Sequence, residues 1–231
     1  MHSRANPALP NHVAVIPDGN RRWAKAQGLE TKEGHKAGYE NLLKIADLAF
    51  EQGIKYVSGY VFSTENWSRT QEEVGYLMKL AAWVMQEEGK RLHAKGVRIR
   101  IIGSREKLSK SLIDGFKQLE ELTRYNDGGT INICFNYGGR NDIVEAVNRL
   151  LAAGVEQVDE KTFPNWLSTN GVPDPDLIIR TSGEQRLSNY LLWEGAYSEL
   201  YFSDVLWPDF DEDQFNMALA EYAKRKRNYG K

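Results

Sequence analysis

Short β-branched and aliphatic runs recur along the chain at 13–16 (VAVI), 56–62 (YVSGYVF), 97–102 (VRIRII), 130–136 (TINICFN), 176–180 (DLIIR) and 199–203 (ELYFS). Each has the length of a buried strand. Between them lie longer stretches whose apolar positions recur at helical spacing, near 34–52, 72–95, 105–125, 139–153, 160–169 and 211–227. The 72–95 stretch places Val74, Leu77, Met78, Ala81, Val84 and Met85 on one broad apolar face. Continuous apolar strands alternating with helices predict an α/β fold, a mostly parallel sheet covered on both faces. No internal repeat, low-complexity tract or linker interrupts this order, so residues 1–231 read as one domain, with 1–11 as an N-terminal extension. The VPDPD stretch at 172–176 is a turn leading into a strand.

Composition narrows the picture. The 231 residues are 41% hydrophobic and 27% charged, with a formal net charge of -2. That is a globular composition with no global basic character to attract nucleic acid. The one cysteine, Cys134, excludes an intrachain disulfide framework and sits in an apolar run, where it reads as a small buried hydrophobe. No apolar run reaches the roughly 18 residues of a membrane span. The opening MHSRANPALPN is too polar for a secretion signal. The expected location is cytoplasmic.

The chemistry collects after the strands. PDGNRRW follows the first, STENWSR (63–69) the second, NYGGRND (136–142) the fourth and RTSGEQR (180–186) the fifth. In an open parallel sheet the carboxyl ends of the strands share one rim, and ligands bind there. Four distant clusters then converge, bringing Arg21, Arg22, Arg69, Arg140, Arg180 and Arg186 together with Asp18, Glu65 and Glu184. Guanidinium forks suit phosphate oxygens. Gly19 and Asn20 stand where a strand turns into a helix, and free N–H groups there also favour an anion. The pattern predicts a phosphate or diphosphate site, with Asp18 as a candidate Mg²⁺ ligand, since Mg²⁺ is commonly held by one or two carboxylates plus substrate phosphates.

Five blocks carry a resemblance: HVAVIPDGNRRWAK, GHKAG (34–38), FSTENWSR (62–69), NYGGR (136–140) and DLIIRTSGEQRLSNYLLWEGAYSELYF (176–202). In sequence order they are similar to the motifs of the cis-prenyltransferase (undecaprenyl diphosphate synthase-like) family, from His12 to about Gly230. The resemblance implies a six-stranded sheet flanked by helices, with a hydrophobic tunnel. It implies condensation of isopentenyl diphosphate with an allylic diphosphate, farnesyl or geranyl, to an undecaprenyl-type cell-wall lipid-carrier precursor. It also implies Mg²⁺, a homodimer and peripheral membrane contact through the lipid product. Asp18 matches the metal-associated aspartate, and Gly19, Asn20, Arg21 and Arg22 the loop that cradles the allylic diphosphate, with Trp23 and His35 beside it. Ser63, Thr64, Glu65, Asn66, Trp67 and Arg69 match a flexible catalytic loop. Arg180, Arg186, Leu187 and Ser188 match the isopentenyl diphosphate pocket, and Glu199 the second metal-associated carboxylate. Asn66 stands where the family's proton acceptor is placed, but an amide is a very poor base, so orientation of substrate is the better chemical role.

The chain departs from the pattern at several positions. Arg21 replaces a common glycine, Pro17 an apolar residue, Thr31 an arginine and Gln185 a histidine; the C-terminal Arg-x-Gly element reads Asn228-Tyr229-Gly230. Val61 and Phe135 stand where small residues leave room for a growing chain, which opens a shorter product as an alternative. Two other readings compete. A non-catalytic scaffold subunit lacks the aspartate and the paired arginines, which are present here as Asp18, Arg180 and Arg186. A strand–Asp phosphotransferase needs a second aspartate two residues on, where Asn20 stands, and no G-x-x-x-x-G-K-[ST] loop occurs.

Overall fold

The structure, a computed structural model, describes residues 9–227; the first eight residues of the expected extension and the Asn228-Tyr229-Gly230 element lie outside it. Six strands form one sheet: β1 (His12–Ile16), β2 (Tyr56–Ser63), β3 (Arg98–Ile102), β4 (Thr130–Tyr137), β5 (Leu177–Arg180) and β6 (Glu199–Phe202). Their order is β3-β4-β2-β1-β5-β6, and every pairing is parallel. The helices are α1 (Asn20–Ala26), α2 (Thr31–Glu51), α3 (Gln71–Ala94), α4 (Lys110–Thr123), α5 (Gly139–Ala152) and α6 (Glu212–Lys224).

Side chains that alternate along the strands separate the two faces. Val13, Val57, Ile99, Ile131 and Ile179 join residues of α2, α3, α4 and α6 in one large core. Ala14, Ile16, Cys134 and Ile178 form the other face, with Tyr190 and Leu191. Cys134 is fully buried, as its surroundings in the sequence suggest. Local chemistry starts the helices. The Thr70 hydroxyl caps α3 at the Glu73 N–H, Ser109 caps α4 at Leu112, and Asp211 caps α6 at Gln214. The expected helix at 160–169 is absent except for one 3₁₀ turn, Phe163–Trp166. There the Asp159 carboxylate accepts the Lys161 and Thr162 N–H groups, and Pro164 supplies no N–H, so the local bonds favour a turn.

The chain builds outward from β1 in one direction to β2, then in the other to β5 and β6. β1 and β5 are therefore neighbours that lead into opposite halves of the sheet, and the crevice outside their carboxyl ends is the favoured ligand position. Ile16 pairs with Arg180, so Asp18 and Arg180 emerge side by side.

Candidate active site

The turn out of β1 is tight. The Asp18 N–H donates to the Ile16 carbonyl at 2.9 Å and to the Thr181 hydroxyl at 3.0 Å, while that hydroxyl donates to the Asp18 carbonyl at 2.8 Å. Gly19 follows in the left-handed region at φ 107°. A β-carbon there would also meet Leu206 at 2.9 Å, so glycine is required on two grounds. α1 then begins at Asn20. Its first turn lies directly on α2, where β-carbons at Gly34 and Gly38 would come within 2.2 and 2.3 Å of Asn20 atoms. Replacing Gly34 with alanine must push α1, with Arg21 and Arg22, away from α2. We expect Gly34→Ala to cost about 1–3 kcal/mol in urea unfolding and to weaken diphosphate binding; unchanged stability would show that α1 yields freely.

Asp18 holds two guanidinium groups. Its Oδ2 accepts from Arg180 at 2.8 Å and its Oδ1 from Arg22 at 3.4 Å. Arg180 is only 4% exposed, and its Nη1 also donates to Ser188 Oγ at 2.7 Å and to the Arg186 carbonyl. Its Nε has no protein partner. Arg22 is half exposed and reaches Glu184 at 3.5 Å and the Ser182 carbonyl at 3.3 Å.

Across the opening, a 3₁₀ turn (Thr64–Ser68) follows β2. Asn66 Oδ1 accepts the Ser63 N–H at 3.1 Å and so braces this turn. Glu65 accepts from Asn189 at 2.8 Å. Arg69 Nη1 donates to Glu73 Oε1 at 2.9 Å, and His35 Nε2 lies 3.1 Å from the same oxygen. Burial drives His35 toward the neutral imidazole despite that carboxylate. Burial also opposes charge on Glu73, but the His35 hydrogen bond and the Arg69 and Arg21 guanidiniums prevail and hold its pKa below the usual value.

These groups surround an open cleft of about 1920 Å³. Asp18, Gly19, Asn20, Arg21, Arg22, His35, Ser63, Glu65, Asn66, Arg69, Arg180 and Ser188 all line it, with Ile16, Tyr60, Val61 and Leu77 as apolar wall. Other expected site residues lie elsewhere. Trp23 turns its indole N–H to Asp209 at 2.7 Å. Trp67 donates to Asn136 at 2.7 Å, packs edge-on against Phe62, and faces a groove between α3 and α4. Thr64, Arg186 and Leu187 do not line the cleft; Arg186 pairs with Glu184 and is exposed.

Glu199 requires a correction. It opens β6 opposite Leu177, three residues before the Arg180–Phe202 pair, whereas Asp18 lies two residues beyond Ile16. At about 3.3 Å per residue the two carboxylates stand on the order of 15 Å apart. Within one chain they cannot share an ion, and Glu199 is bound to Arg225 at 2.8 Å. The motif marks Glu199 as a strand residue without showing which end of the strand it occupies.

Sequence reasoning passed over Glu73, Thr181 and Asn189. Glu73 had a readable signal, four residues after Arg69 at the start of a helix. Asn189, at φ 67°, had only its type to mark it.

A sequence profile of the family described as putative undecaprenyl diphosphate synthase matches residues 16–230. The chain belongs to that family. An isoprenyl transferase of Neisseria gonorrhoeae is 45% identical over 224 residues, covering 97% of this chain and 90% of the relative. The ditrans,polycis-undecaprenyl-diphosphate synthase ((2E,6E)-farnesyl-diphosphate specific) of Legionella pneumophila is 45% identical over 231 residues, covering 97% of each chain. The crystal structure of lavandulyl diphosphate synthase from Lavandula x intermedia, in complex with dimethylallyl diphosphate, superposes with a TM-score of 0.93 at 37% identity, covering 98% of this chain and all of that one. The cis-prenyltransferase family fold thus accounts for the described architecture. None of the described helices is long and apolar enough to cross a membrane.

For a metal, the donor set is sparse. Among the described residues no group of three or more His, Cys, Asp or Glu side chains could enclose an ion. Asp18 offers a carboxylate between Arg22 and Arg180 at the end of β1. That suits Mg²⁺, which readily shares its coordination between one carboxylate, phosphate oxygens and water.

Proposed function

We propose that this family member is a cis-prenyltransferase that condenses isopentenyl diphosphate with an allylic diphosphate, farnesyl or geranyl, to an undecaprenyl-type polyprenyl diphosphate. The observation that carries the reading is the Asp18–Arg180–Arg22 cluster at the β1–β5 crevice, facing Arg69 and His35 across one cleft. The full-length relatives support the reaction class. The plant relative of the same fold, crystallised with an allylic diphosphate, supports the ligand class.

In the reaction the allylic C1–O bond breaks and diphosphate leaves with the electron pair. The double bond of isopentenyl diphosphate attacks C1, and a proton leaves the carbon that becomes part of the new cis double bond. Arg21, Arg22 and the N–H groups at the start of α1 face the departing diphosphate and stabilise its growing charge. Arg180 and Ser188 hold the second diphosphate, with Arg186 fixing the loop through its carbonyl. Holding both diphosphates fixed aligns the reacting carbons. Asn66 holds the 3₁₀ turn and orients substrate, and the proton passes to diphosphate or water. Asp18 would hold Mg²⁺ together with the allylic diphosphate, and the ion would supply further charge neutralisation to the leaving group. We further propose a homodimer, a cytoplasmic location, and membrane contact only through the product.

Val61 and Leu77 form part of the cleft wall, and in the same core Phe62 and Phe135 stack at 5.1 Å with Phe116 edge-on to Phe135. A product chain that entered this core would have to displace that packing. Sizing the products from farnesyl and isopentenyl diphosphates tests the reading. We expect the undecaprenyl chain; a product that stops short would transfer the reading to a shorter-chain synthase, and no condensation at all would overturn it.

A further inference from the structure

Glu73 is the unassigned group at this cleft. It sits in the first turn of α3, where a carboxylate is favoured by the helix dipole. Three basic side chains from three other elements converge on it. They are Arg69 from the loop after the 3₁₀ turn at 2.9 Å, His35 from α2 at 3.1 Å and Arg21 from α1 at 3.9 Å. The Glu73 side chain is only 12% exposed, while Arg21 is 61% exposed. All four groups line the cleft. Without Glu73, two guanidiniums would repel each other across a shared wall. With it, they are gathered and aimed before any ligand arrives.

We propose that Glu73 is a positioning carboxylate, which holds Arg21, His35 and Arg69 as a preassembled set and exchanges them for the oxygens of an incoming diphosphate. This rests on the proposed diphosphate chemistry of the cleft. A carboxylate and a diphosphate compete for the same N–H donors, so Glu73 opposes binding while it secures geometry.

The test compares wild type with Glu73→Gln. Calorimetry with inorganic diphosphate should show binding about three- to tenfold tighter in the variant, the loss of a competing, partly exposed ion pair. Steady-state kinetics should show kcat and the KM for the allylic diphosphate falling together, the signature of a removed ground-state restraint. Glu73→Asp should restore both toward wild type. In wild-type protein, the Glu73 side-chain carboxyl carbon resonance should move on addition of inorganic diphosphate, a measurement that needs no variant. Unchanged or weaker diphosphate binding in folded Glu73→Gln, or a static resonance, would overturn the exchange. Failure of wild type to bind diphosphate or to condense the two substrates would instead refute the functional reading itself.

Discussion

Asp18→Asn should reduce kcat by about 10²–10³-fold while the protein still binds diphosphate, a loss of the size seen when one charge-stabilising contact at a transition state is removed. The side chain's geometry sets this expectation. Asp18 is the carboxylate that joins Arg22 to the buried Arg180, and it faces the cleft where leaving-group charge develops. Asparagine keeps the shape and one acceptor oxygen, so Arg180 retains a partner there as well as Ser188 and the Arg186 carbonyl. Asp18→Ala removes both acceptors. It should add a stability loss of about 1–3 kcal/mol, because a nearly buried guanidinium loses its counter-charge. Single-turnover rates, calorimetry with inorganic diphosphate and urea unfolding separate these effects. Turnover of Asp18→Asn near the wild-type rate would remove the role given to this carboxylate.

The second large effect concerns stability in acid. His12 is 1% exposed at the base of β1, far from the cleft. Its Nδ1–H donates to the Pro173 carbonyl at 2.7 Å and its Nε2 accepts from the Ser58 hydroxyl at 2.7 Å, a tautomer assigned from the partners. Asn132 in turn donates to Ser58 Oγ at 2.9 Å. Burial disfavours the imidazolium and lowers the pKa from 6.5 to about 4, against smaller upward effects of the Pro173 carbonyl and the Asp176 charge. The unfolded chain therefore takes the proton first as pH falls. The neutral imidazole's contribution is complete above pH 6.5 and declines between there and about pH 4, by about 3 kcal/mol in all. Carboxylates also titrate in acid, so the useful quantity is the difference between wild type and His12→Gln. Gln keeps an acceptor for Ser58 but has no proton to gain. Urea unfolding free energies measured at several pH values should diverge less below pH 6.5 than above it, since only wild type loses the His12 contribution. Parallel curves would show that His12 does not titrate on unfolding.

Two of the departures expected from the family pattern face the same cleft. Thr31 stands in place of an arginine at the start of α2, while Arg21 is an extra cation on α1. Both residues line the cleft, and Arg21 reaches toward Glu73.

Much of this was legible before any coordinates. Five of the six strands were marked by β-branched runs and the sixth by the Leu-Tyr-Phe of ELYFS; of the four polar clusters, those after β1, β2 and β5 meet at one cleft, while the one after β4, with Arg140, contributes no side chain to its lining. The tight turn at Gly19 was readable because a short strand running into Asp-Gly-Asn leaves few backbone solutions. Residue type and periodicity determined the elements and the rim.

What only the tertiary structure decided was the company each side chain keeps. Trp23 and Trp67 belong to the same motifs as cleft residues, yet each indole N–H is drawn to a partner outside it, Asp209 and Asn136. Glu199 lies at the far end of its strand because register is set by pairing with β5, a contact between segments remote in the chain. Glu73 acquired its place only when three separate elements brought two guanidiniums and an imidazole to it. Local sequence governs which backbone forms, because those energies are short-ranged; which charges meet depends on long-range packing, to which no single motif has access.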